Sequence, residues 1–194
     1  MLPGSKCDSQ RSGAISEHPP TFISLAVKTI VVHSVTYFVC GLLAFFILDY
    51  ESNLADPEVR IFMRQTDEPI VMAGPLFQPI RGLLFAIAFY PLGPVLFGRK
   101  GGWLVMWTVL VIVGILSTFG PSPGSLEGMI YTVFPIPLQL LGLTEVLAQS
   151  LLLSVVLCYW VNHPEKRWLN WLLGVSFFFV MLLPAMGLLM DPSR

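Results

Sequence analysis

From Thr21 to Leu48 the chain carries one lysine, Lys28, and no Asp, Glu or Arg. A run of that length and apolarity exceeds the roughly 20 residues that cross a bilayer as a helix. Further apolar runs follow, separated by short polar punctuation. Soluble domains are about one-quarter charged, whereas here 12% of residues are charged and 55% hydrophobic. Mean hydropathy is +0.74. These features predict an all-α integral membrane protein, a bundle of about five transmembrane helices. Its main partner is then the lipid bilayer. The net charge of -1 and the lack of a basic stripe exclude nucleic acid as a partner.

The expected organisation is a disordered cytoplasmic tail over residues 1–20, then one helical transmembrane domain over 21–194. The tail is too polar to bury a core and lacks the short apolar segment of a cleavable signal. The spans are expected at about 21–49, 79–97, 103–119, 145–161 and 168–190. Gly74-Pro75 breaks the chain before the second span, and Gln78-Pro79 starts it. Pro91 predicts a kink near Tyr90. Asp56-Pro57-Glu58 reads as the start of a short interfacial helix in the acidic loop over 50–75.

Between the third and fourth spans lies a stretch, Thr118 to Gln149, with no Lys or Arg and with prolines at 121, 123, 135 and 137. Leu126 to Phe134 could form nine helical residues, about 13 Å at 1.5 Å each. That is too short to cross, so a Pro-broken, non-spanning segment is expected, stopped by Pro135 and Pro137. Ser125 before Glu127, and Thr144 before Glu145, each resemble a helix N-terminus.

Cationic residues set orientation. With five spans, Lys6, Arg11, Arg99, Lys100, Lys166 and Arg167 fall on one side, joined by Lys28 at the start of the first span. Arg60, Arg64, Arg81 and Arg194 fall on the other. The expected topology in a plasma membrane is a cytoplasmic N-terminus and a C-terminus outside.

This topology brings Gln78, Arg81, Glu127, Gln139, Glu145 and Gln149 toward the same outer face as a candidate polar cluster. Arg81 is the cation available there to Glu127 or Glu145. On the first span Thr29, His33, Tyr37 and Cys40 share one helix face, and His33 reads as a hydrogen-bonded packing residue. On the fourth, Ser150, Ser154 and Cys158 recur four apart, with Asn162 next. They form a candidate helix-packing face, since small residues let a second helix approach closely. Cys40 and Cys158 read as small apolar residues, and Cys7 shares no CxxC motif with either.

No nucleophile–base pair, metal-ligand cluster, phosphate loop or nucleotide fingerprint is present in the pattern, so no catalytic residue, cofactor or metal is assigned. The leading expectation is a non-enzymatic interaction or accessory component, with a membrane-protein partner or a second copy of the chain. The alternative is a transporter or lipid-handling protein using a polar outer mouth around Arg81, Glu127 and Glu145. An intramembrane enzyme using Glu127 or Glu145 ranks third.

Overall fold

The computed structural model describes residues 20–50 and 57–190, and these contain helices and turns but no strand. Residues 1–19 of the expected tail, Asp56 and the last four residues lie outside the described part. Helix α1 is Phe22–Ile47, started by Thr21, whose hydroxyl accepts from the Ser24 amide. Two short helices, α2 (Pro57–Arg60) and α3 (Pro69–Met72), precede a 3-10 turn at Gly74–Phe77. Helix α4 (Gln78–Phe89) follows directly, and α5 is Gly93–Leu96. Helix α6 (Gly102–Val111) runs on into a π-helical turn at Ile112–Leu116. Helix α7 is Leu126–Tyr131, α8 is Ile136–Asn162 and α9 is Arg167–Leu189.

Three helices, α1, α8 and α9, are long and apolar enough to cross a membrane. Two shorter apolar stretches, Gly74–Phe89 and Gly102–Leu116, accompany them. Helix α1 is central and packs against α4, α8 and α9, while α6 packs on α8. Its apolar interior includes Leu25, Val32, Met106, Leu153 and Leu157, all fully buried. Thr29 and Thr36 return their hydroxyls to the carbonyls of Leu25 and Val32, both at 2.8 Å. Their polarity is thereby absorbed within α1, and the face can pack.

Helices α1 and α4 run antiparallel. Phe22 meets Tyr90 edge-on at 5.3 Å between ring centroids, and His33 meets Gln78. Between them, a Cβ built on Gly82 would sit 2.7 Å from Ile30 Cα. The two backbones therefore touch at this crossing, and only glycine fits.

Two helix boundaries differ from the sequence expectation. Helix α8 begins at Ile136, not at Glu145, because Pro135 and Pro137 occupy its N-cap and first turn, where proline needs no amide hydrogen. Thr144 and Glu145 are therefore mid-helix, and the Thr144 hydroxyl donates back to the Leu141 carbonyl at 2.6 Å. Helix α7 ends at Tyr131, four residues before Pro135, when Thr132 turns extended. In the second apolar stretch α4 stops at Phe89, as Pro91 requires. Gly74-Pro75 does not free the chain there but winds it into the 3-10 turn that leads into α4.

Lys28 does more than reach for the interface. Its Nζ donates to the Trp160 carbonyl at 3.2 Å and lies 5.6 Å from the Trp160 ring centroid. Trp160 is in the last turn of α8, where carbonyls lack helical partners and a cation is favourable.

Candidate functional site

The six residues expected to form one outer cluster are not linked directly to one another. No hydrogen bond or ion pair joins any two of Gln78, Arg81, Glu127, Gln139, Glu145 and Gln149. Glu127 is exposed in the first turn of α7, behind the Ser125 N-cap, whose Oγ accepts from the Gly128 amide at 2.9 Å. Gln149 is buried on α8, one turn beyond Glu145.

Gln139 is a clamp, not a ligand-facing amide. Its Oε1 accepts from the Gly124 amide at 3.1 Å, and its Nε2 donates to the Phe134 carbonyl at 2.7 Å and to Thr132 Oγ1 at 3.4 Å. At 2% exposure, it holds both ends of the non-spanning segment onto α8.

Among the described residues Arg81 has no carboxylate partner. Among the described residues the one ion pair is Arg64–Glu68, at 2.7 Å, and the Arg64 guanidinium lowers the Glu68 carboxyl below its usual range. Arg81 is exposed and lies over Phe85, its Cζ 5.6 Å from the ring centroid. Exposed cation–π contacts are worth about 0.5–1 kcal/mol. Arg81→Gln should therefore lower stability by about 1 kcal/mol or less, well short of the several kcal/mol lost when a buried ion pair is broken. Thermal unfolding beside wild type in mild detergent checks this.

What the fold does assemble is a polar seam along α1. His33 is 1% exposed, and its Nε2 lies 3.1 Å from Gln78 Oε1. Gln78 Nε2 in turn donates to the Gly74 carbonyl at 3.1 Å. These bonds orient the amide and thereby select the tautomer: Oε1 faces the imidazole, so His33 Nε2 carries the donated hydrogen. In the neutral ring Nδ1 is then a bare acceptor. Nδ1 is buried with no partner, as is the hydroxyl of the adjacent Ser34. Phe85 meets the His33 ring edge-on at 4.9 Å.

One turn further along α1, Tyr37 points toward the 3-10 turn, its hydroxyl 3.7 Å from where a Gly74 Cβ would be. Tyr37 lies within electrostatic range of both Arg81 and Glu145. One more turn brings Gly41, where a Cβ would sit 3.6 Å from Glu145 Oε1. The Tyr50 hydroxyl donates to Glu145 Oε2. Burial and then the Glu145 carboxylate push the Tyr50 phenol well above its usual range.

His33 and Tyr37 were legible as one face of α1, but not their union with Gln78 and Glu145. A signal was present in Gly41, which continues the spacing of four from Tyr37 and marks where another helix comes close. Tyr50 had no such signal.

On the candidate packing face Ser150, Ser154 and Cys158 are all buried. Ser154 Oγ donates to the Ser150 carbonyl at 2.7 Å, and Cys158 Sγ lies 3.6 Å from the Leu96 carbonyl. Asn162 Oδ1 accepts from the Gly98 amide at 2.9 Å. Among the described residues no three His, Cys, Asp or Glu side chains could hold a metal together.

Fold and site define an all-helical protein with three helices long and apolar enough to cross a membrane and a polar seam between α1, α4 and α8. Compared with known protein families, curated proteins and solved structures, the chain matches none.

Proposed function

We propose that the chain crosses the plasma membrane five times, N-terminus cytoplasmic and C-terminus outside, and handles a small polar solute or lipid headgroup at the α1–α4–α8 seam. The two shorter apolar stretches supply the second and third crossings. The second is then a broken helix, with α3 and the 3-10 turn outside and α4 inside.

The observation that carries this reading is where the break falls. Gln78, at the start of α4, is paired with His33, which is about 16 Å along α1 from Phe22 at 1.5 Å per residue. That is roughly half of a 30 Å hydrocarbon layer. Interrupted helices at that depth are tolerated where protein or water satisfies the backbone, and in transporters they frame binding sites. An ionisable side chain at that depth points the same way. His33 Nδ1 and Ser34 Oγ, buried without partners, supply acceptor capacity for a hydrogen-bond donor. Glu145, with a phenol and no cation beside it among the described residues, adds negative charge toward the outer end. Arg81, one turn beyond Gln78 and within electrostatic range of Tyr37, balances that charge, so the seam favours a neutral or zwitterionic solute bearing N–H or O–H donors.

The test is uptake by the full chain in proteoliposomes, using labelled amines, amino acids, sugars and a short-chain phospholipid. At least one class should move faster than in protein-free vesicles. His33→Leu and Glu145→Gln should cut that flux at least tenfold while keeping a cooperative melting transition. Flux indistinguishable from protein-free vesicles for every class sinks the reading.

A second reading, a non-enzymatic accessory component, is favoured by α9. Only Leu169, Leu173 and Val180 of this helix are buried, and Trp171, Phe178 and Phe179 face outward. A partner helix would cover that surface. An isolated monomer in native mass spectrometry and in membrane crosslinking argues against it.

A further inference from the structure

We propose that the α5–α6 turn and the α8–α9 turn together form a binding surface for anionic phospholipid headgroups. The Gly98 amide donates to Asn162 Oδ1 at 2.9 Å, which ties the two turns to each other. Arg99 and Lys100 follow Gly98 directly, and Lys166 and Arg167 come within five residues of Asn162. Four cations from separate parts of the chain are thereby gathered at one end of the bundle.

Among the described residues no ion pair neutralises them. Glu165 is the one carboxylate in the two turns, and among the described residues the one ion pair, Arg64–Glu68, lies elsewhere. Arg99, Lys100 and Arg167 are exposed, while the Lys166 ammonium donates to the Tyr159 hydroxyl. Helices α6 and α9 both start here with no acid in their first turns. Their N-terminal dipole ends favour an anion, and the C-terminus of α8 at Asn162 offsets them only in part. Such an arrangement attracts an anion.

The surroundings identify the anion as a lipid. Trp168 and Trp171 are 59% and 76% exposed just beyond Arg167, and Trp103 is 38% exposed just beyond Lys100. Exposed indoles beside cations at the ends of apolar helices are the composition of the headgroup level. A soluble anion would leave those rings in water, whereas a phospholipid meets both features, phosphate on the cations and acyl chains along the helices. The arrangement of this end does not depend on the solute reading. Only its assignment to the cytoplasmic leaflet rests on the proposed orientation.

The test uses the full chain in mild detergent, titrated with phosphatidylglycerol or phosphatidylcholine and read by native mass spectrometry. Phosphatidylglycerol should be retained preferentially, and raising ionic strength should weaken it. The double variant Arg99→Gln/Lys100→Gln should lose about 30-fold in that affinity, about fivefold per cation. Arg60→Gln, an exposed cation on α2, should leave it unchanged. These are surface positions, and a melting curve confirms that each variant is folded. Equal retention of the two lipids overturns the proposal. So does a double variant that holds phosphatidylglycerol as wild type does, or an equal loss in Arg60→Gln.

Discussion

Gly82→Ala should destabilise the protein by about 3 kcal/mol, at the top of the usual range for overpacking. The new methyl would lie 2.7 Å from Ile30 Cα, 3.3 Å from Ile30 N and 3.4 Å from Ile30 Cγ1. Two of the three are backbone atoms, so no rotamer change relieves the contact. Helix α1 cannot retreat either, because α8 and α9 pack against it too and Leu25 and Val32 beside the crossing are fully buried. The cost falls on the whole α1–α4 contact, and with it on the register that sets Gln78 opposite His33. Gly142→Ala is the matched control, since a Cβ at this position in α8 meets nothing within 4 Å. An alanine in a helix interior gains about 1 kcal/mol over glycine. The two variants should therefore shift the unfolding midpoint in opposite directions. A Gly82→Ala protein as stable as wild type would mean that the helices do not touch at this point.

Gln139→Ala should cost about 3 kcal/mol, by a different mechanism. Truncation leaves the buried Gly124 amide and the Phe134 carbonyl without their side-chain partner. Each buried polar group left unsatisfied costs about 1–3 kcal/mol, and water reaching the Phe134 end offsets part of it. Gln139→Glu separates hydrogen bonding from volume. It keeps an acceptor for Gly124 but points a second oxygen at the Phe134 carbonyl, so it too should destabilise. The loss should be local. Hydrogen exchange should speed up over 117–135 while α1 and α4 keep their protection. Unchanged exchange in that segment would show that its ends are held by something other than Gln139.

The residues of the non-spanning segment illustrate what could be read in advance. Its short helix and its Ser125 cap follow from local rules: a hydroxyl acceptor, an acid in the first turn, and too few residues to cross. The roles of Pro135 and Pro137 did not follow, because proline disrupts a helix interior yet is welcome in its first turn. Sequence shows the residue but not which side of it the helix lies on. That ambiguity placed the start of α8 nine residues late and made Thr144 and Glu145 look like a cap. Arg81 poses a related ambiguity. An unpaired arginine near an apolar run suggests an acidic partner, but the Phe85 ring one turn away is also a partner.

Apolar run length decided the all-helical architecture and its membrane setting, because a backbone in hydrocarbon must satisfy its own hydrogen bonds. Spacing by four decided which side chains of α1 share a face, because helical geometry is local. Which helix that face meets is not local. The pairing of His33 with Gln78, of Glu145 with Tyr50 and of Gly98 with Asn162 joins residues 45, 95 and 64 positions apart. In an environment this apolar, a lone glutamine, glutamate or asparagine carries no mark of its partner. Only the packing of α1 between α4 and α8, with bare glycine at 82 admitting α4, turns scattered polar residues into a seam.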